Sequence, residues 1–218
     1  MESFNQRLQR LVSGTPDEVF FTILNSISNF ALPQLVDATR AGFHRLALLG
    51  VHSVIQTVGE QIYGLKGDKA TTFYLTHFVD GEHPDTKFSA IATDLHTLRN
   101  VHAHRWSSRL NHQVGLDASV NQGWWRDEAG LHINPVVFVE HVAAGFAADT
   151  AMWRMPRELS ELNRLVRKYA FLRQWLELDR GELAQALKRL EASRDLVTAL
   201  ADEKRVRELI AREFEAAA

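Results

Sequence analysis

Between Gln34 and Tyr63 the chain places Val36, Phe43, Ala47, Leu48, Val51, Val54, Ile55, Val58 and Ile62 at helical spacing over more than one face. A helix that is apolar on several sides has to be surrounded by other elements, so this segment predicts a central, mostly buried helix. Gly42, Gly50 and Gly59 weaken its propensity but let a neighbouring helix come close. His44, His52, Gln56 and Glu60 recur at steps of four and share one side. They read as the helix's solvated stripe, a catalytic role being the less common alternative.

Around this element the other segments also carry helical patterns. Phe4, Leu8, Leu11 and Val12 suggest a short opening helix that stops at Ser13-Gly14. Thr15-Pro16-Asp17-Glu18 supplies an N-cap, a first-turn proline and a glutamate placed to close a capping box. The helix that starts there, with Phe20, Ile23, Ile27 and Phe30 on its stripe, is expected to end at Pro33. Lys69 to Val79 reads as a short helix, and Asp80 to Asp85 as a loop whose last aspartate can cap the next one. Phe88, Ile91, Leu95, Leu98 and His102 then form a narrow packing stripe.

Gln113 to Val120 and Trp124 to Ile133 read as a small hairpin or two short strands. Asn134-Pro135 starts a helix packed through Val136, Val139, Ala143, Phe146 and Ala147, which Pro156 is expected to break. Beyond it, Leu159, Leu162, Val166, Tyr169, Leu172 and Leu176 predict one amphipathic helix, and Leu183, Leu187, Leu190, Val197 and Leu200 another. Arg157, Arg164, Arg167, Lys168 and Arg173 form a basic side, expected to be a solvated face and not an RNA-binding stripe because acids are nearly as numerous.

Composition narrows the classes. The 218 residues are 45% hydrophobic and 24% charged, enough for one generous domain with an appendage. The absence of cysteine leaves neither disulfides nor thiolate metal ligands. The start has no basic-then-apolar leader pattern, and no uncharged apolar run is expected to reach the roughly 20 residues of a membrane span. The chain is therefore expected in the cytoplasm, without a membrane partner. A formal net charge of -2 means that any nucleic-acid binding has to come from a local patch.

The chemistry concentrates in Leu98-Arg99-Asn100-Val101-His102-Ala103-His104-Arg105-Trp106. Arginine, asparagine and histidine are the tools for holding a phosphate or moving a proton near neutral pH. Successive helical residues turn by about 100°, so Arg99 and His104 sit about 140° apart and diverge on their own helix. A second copy, related by a two-fold axis, would bring one in from each side. An imidazole could then take the proton of a ribose 2′-hydroxyl while the guanidinium steadies the phosphate. Two other readings stay open. Arg99 and His104 could merely satisfy carboxylates or helix-terminal carbonyls, or His96, His102, His104 and His112 could hold a metal, although His-x-His on a helix diverges.

Arg99-Asn100-Val101-His102-Ala103-His104 resembles the Arg-x4-6-His signature of the HEPN (higher eukaryotes and prokaryotes nucleotide-binding) superfamily, including the polar residue that often follows the arginine. The resemblance spans roughly residues 16 to 153. It implies an all-α, up-and-down helical bundle over 1-153, with the small hairpin as an insertion and 154-218 as a C-terminal helical extension. It also implies a homodimer acting as an endoribonuclease without metal or cofactor, with RNA as substrate and a protein antitoxin or regulator as a further partner. By that likeness Arg99 and His104 are catalytic, Asn100 orients them, and His102 is an auxiliary residue or part of the packing stripe. Non-catalytic binding or assembly modules also occur in the superfamily and form the alternative. Relatives silenced by nucleotide transfer carry a tyrosine where this chain has Trp106, which offers no hydroxyl.

Overall fold

A computed structural model describes residues 4–81, 86–105, 114–148, 150–175 and 181–215; the side chains of residues 4, 5, 7, 8, 101–105, 148, 150–152, 155 and 213–215 lie outside that description. The chain is mostly helical and forms two compact units, Leu24–Trp153 and Met1–Ile23 with Arg154–Ala218. The first 23 residues, which sequence alone attaches to the bundle, thus belong with the C-terminal helices.

Helix α1 (Phe4–Ser13) ends at Gly14, and α2 (Pro16–Ser26) begins on the capping box expected of it. The Thr15 amide donates to Glu18 Oε2 at 2.6 Å and the Glu18 amide to Thr15 Oγ1 at 3.3 Å. Pro33 does not end this helix. The backbone remains helical from Pro16 to Arg40, through a π-turn at Ile27–Ala31 and then α3 (Leu32–Arg40). The Leu32 amide reaches Ile27 O, five residues back, so the bonding pattern restarts and Pro33 falls in the first turn of α3, where a missing N–H costs nothing. This run is the one described helix with the length and composition of a membrane span, contrary to the sequence expectation. Its most apolar 18-residue window has a mean hydropathy of 1.4 and is 33% buried. Val19, Phe20, Leu24, Ile27 and Leu32 are core residues.

The expected single helix from Gln34 to Tyr63 is instead two helices. Gly42, at φ 86°, turns the chain after α3, with Ala41, Gly42 and Phe43 amides donating to Asp37, Thr39 and Ala38 carbonyls. Helix α4 (His44–Gln56) follows and runs into a π-turn, Thr57–Ile62. It is the central element, packed by α3, by α5 (Asp68–Tyr74), by α6 (Ala92–Arg105) and by α7 (Pro135–Ala148). Ala47, Leu48, Val51, Val54, Ile55, Val58 and Ile62 are all buried. A π-turn, Leu75–Val79, extends α5, and a 3₁₀ turn, Phe88–Ile91, leads into α6. Phe88, Ile91, Leu95 and Leu98 form the buried stripe expected of α6; the proposed cap Asp85 lies outside the described residues.

A three-stranded sheet follows: β1 (Val114–Leu116), β2 (Trp124–Asp127) and β3 (Gly130–Ile133), in the order β1-β3-β2. β2 pairs antiparallel and β1 parallel to β3; Gln113 lies outside the described residues. Arg126 Nη2 on β2 meets Asp94 Oδ2 on α6 at 2.7 Å. Asn134 Oδ1 caps α7 by accepting the Val136 and Val137 amides at 2.9 and 3.2 Å. The buried face of α7 is Phe138, Val139, Val142 and Phe146, and Ala147 is exposed. At Gly145 the helix lies so close to Phe78 that an added Cβ would sit 2.1 Å from its carbonyl oxygen.

The other unit packs α1 against α11 (Leu196–Glu215), and α9 (Glu161–Trp175) and α11 against α10 (Gly181–Ala192). Pro156 lies inside α8 (Thr150–Glu158), near its end, instead of breaking α7. The expected solvated basic side is largely internal pairing. Lys168 is fully buried and donates to Val12 O at 2.8 Å and Gly14 O at 2.6 Å, capping the last turn of α1. Arg164 pairs with Asp17 at 3.0 Å, and Arg173 with Glu191 at 2.9 Å. Glu203 accepts from Tyr169 and Arg207 at 3.0 and 2.6 Å, 3.9 Å from the Lys168 ammonium. Burial, then the Arg207 charge, pulls the Lys168 pKa down to about 8. Val197 and Leu200, expected to pack, are 80% and 46% exposed because Asp195 restarts the helix, and Ala199, Val206 and Leu209 face inward instead. Leu176 lies outside the described residues.

Candidate functional site

Helix α6 carries the motif on its last turns. Its narrow apolar stripe is used up against the core, which leaves Arg99 and Asn100 half-buried at the edge of that packing. Arg99 Nη1 donates to Asn100 Oδ1 at 2.8 Å. The bond holds the guanidinium against its neighbour and uses the carbonyl of Asn100, not its NH2. Among the described residues no carboxylate pairs with Arg99, so its charge is not consumed as a structural ion pair would consume it. His102 and His104 occupy helical backbone positions in α6. Their side chains, with Trp106 and His112, lie outside the described residues.

The structure brings His52, expected on a solvated stripe, next to His96, which the sequence offers only as a candidate metal ligand. His52 on α4 is 3% exposed, and its ring lies 5.5 Å from that of His96 on α6, tilted by 42°. Burial above all, reinforced by His96 and by the Arg99 charge, holds the His52 pKa down at about 3, so its imidazole is neutral across the physiological range. His52 Nε2 and His96 Nδ1 are both buried and find no hydrogen-bond partner among the described residues.

The expected solvated stripe of α4 is buried at His52 and half-buried at His44, Gln56 and Glu60, forming a polar seam at the edge of the packing. Below His52, Gln56 Nε2 donates to Gly67 O at 3.2 Å and to Thr71 Oγ1 at 3.0 Å. Glu60 Oε1 accepts the Gly67 amide at 3.3 Å. Gly67, at φ 58°, turns the chain beside His96: a Cβ there would lie 3.9 Å from His96 Cε1 and Nε2. No pattern in the sequence separates His52 from a solvated residue, since periodicity groups His44, His52, Gln56 and Glu60 on one side without saying what that side meets.

Two other candidates carry less. Among the described residues no three His, Asp or Glu side chains converge as a metal site requires. In the unit containing the C-terminal helices, a cleft of about 330 Å³ is lined by Asp17, Arg164, Glu203 and Arg207, but these charges already pair with one another. Comparison with protein families, curated proteins and solved structures finds no match to this chain.

Proposed function

We propose that this protein is a homodimeric, metal-independent endoribonuclease of the HEPN type, built on an up-and-down helical bundle with the small sheet inserted after α6. In this reading it acts in the cytoplasm as a toxin or defence protein under a protein antitoxin or regulator. Arg99 holds the scissile phosphate, Asn100 orients it, and His104 moves the proton as the ribose 2′-hydroxyl attacks phosphorus and the 5′-oxygen leaves. The product ends are a 2′,3′-cyclic phosphate and a 5′-hydroxyl. His102 is auxiliary.

The observation that carries this reading is the state of Arg99, a half-buried guanidinium oriented by Asn100 and neutralised by no described carboxylate. An arginine kept for structure pairs with a carboxylate, as Arg164 does with Asp17. An arginine kept for an anionic substrate leaves that fork open.

The test is cleavage of single-stranded RNA by purified protein in EDTA. Arg99→Ala and His104→Ala are expected to lose about 10²-fold or more of the rate with melting temperatures unchanged. Equal cutting by both variants would assign the activity to a contaminant and end the proposal. One observation favours the second reading, a non-catalytic helical binding module: Val197 and Leu200 are exposed on α11, as a surface for a protein partner would be.

A further inference from the structure

We infer that His52 on α4, with His96, Arg99 and Asn100 on α6, forms a seat for one phosphate group, His52 being its floor and the α6 side chains its rim. This deepens the ribonuclease reading and rests on it for the identity of the ligand as a phosphate of the RNA chain. The argument starts from a count of donors. Arg99 spends one N–H on Asn100 and keeps the rest of its fork. Asn100 uses its carbonyl for that bond, so its NH2 can donate outward. His52 Nε2 and His96 Nδ1 are buried nitrogens without a partner among the described residues, each able to carry an N–H in the appropriate tautomer.

A cluster of donors without an internal acceptor matches a group that only accepts, and a phosphate oxygen is such a group. The nearby acids are already engaged, Asp94 with Arg126 and Glu60 with the Gly67 amide. Neither competes for the guanidinium. Exposure is graded in the way a seat requires. Arg99, Asn100 and the His96 side chain as a whole are half-buried, whereas His52 is 3% exposed, and the two ring nitrogens His52 Nε2 and His96 Nδ1 are closed to solvent. A neutral imidazole at the floor donates a hydrogen bond without adding a second buried positive charge beside Arg99. His52 is thus a binding residue from a helix that the Arg-x4-His motif does not include.

The probe is inorganic phosphate, titrated into the full-length protein while the ring nitrogens of His52 and His96 are followed by long-range ¹H–¹⁵N NMR. Both rings are expected to shift together and saturably with a single midpoint, and chloride at equal ionic strength is expected to move neither. His52→Leu removes the floor donor at similar volume, and His96→Gln alters the rim at a half-buried position. Each should weaken phosphate binding at least tenfold in the folded protein, judged by its circular dichroism. If the two unpartnered nitrogens instead bond to each other, the rings will report a fixed tautomer pair that phosphate does not disturb, and the inference fails. It fails equally if phosphate binds His52→Leu as well as wild type. Phosphate binding without RNA cleavage would sink only the nuclease reading, and cleavage that leaves both histidine rings unmoved by phosphate would sink only this one.

Discussion

Acid should destabilise this protein through His52 well before its carboxylates titrate. In the unfolded chain a histidine titrates near 6.5, while in the native state burial, His96 and the Arg99 charge hold His52 at about 3. The folded pKa is the lower one, so the unfolded state binds more protons between pH 6.5 and 3, and stability falls as pH drops through that window. From the two values, His52 contributes a loss of about 2 kcal/mol between pH 7.5 and 5 and about 3 kcal/mol by pH 4. His52→Gln keeps a polar side chain of similar size but cannot titrate. Urea unfolding of both proteins at pH 7.5 and pH 5 isolates the effect as a difference of differences, with the m-value checked for constancy. The variant should lose about 2 kcal/mol less than wild type over that interval. Equal losses would mean that His52 is solvated or already charged in the native state, and the description of the α4 seam would be refuted.

Further outcomes follow from contacts at three sites. Gly145→Ala forces a Cβ to within 2.1 Å of the Phe78 carbonyl oxygen, so α7 has to shift, and thermal unfolding should show a loss of about 1–3 kcal/mol. Lys168→Met strips the Val12 and Gly14 carbonyls of their shared donor and takes a cation from beside Glu203, and should cost about 1–3 kcal/mol in chemical denaturation at pH 7. Because the Lys168 pKa is lowered to about 8, its contribution should make wild type gain stability between pH 8 and 10.5, and Lys168→Met should lack that gain. Glu18→Ala opens the capping box at α2 and should lower stability by about 1 kcal/mol, while Glu18→Gln should retain most of it.

The parts of this fold that were legible in the sequence are those whose causes are local. Thr15 with Glu18 and Asn134 with Pro135 start helices where expected because cap and amide lie within three residues of each other. The stripe of α6 was legible because one narrow row of apolar residues faces the core formed with α4 and α5. Pro33 reads as a helix end in the sequence because a π-turn leaves no mark in residue types, yet that turn resets the bonding register and makes the proline harmless. Gly42 was noticed as a weak point but its positive φ, which splits the long helix, depends on how the next helix packs. His52 and Lys168 both lie on sides that read as solvated in the sequence, yet both are buried. Periodicity places a polar residue on a face, but only tertiary packing says whether that face meets solvent, another histidine or the end of another helix. Arg99 and Asn100 stand out in the sequence by residue type, whereas the burial of His52 beside His96 does not.

The central claim is that Arg99 and His104, divergent on one helix, work together across two protomers. Subunit mixing tests it most directly. Arg99→Ala and His104→Ala proteins, each inactive alone, are unfolded together, refolded and assayed on single-stranded RNA in EDTA. Random pairing makes half of the dimers mixed, each with one complete Arg99–His104 pair out of two, so the mixture should recover about a quarter of wild-type activity. No recovery from a mixture proven to contain mixed dimers, or a wild-type protein that cuts RNA as a monomer, would contradict the account.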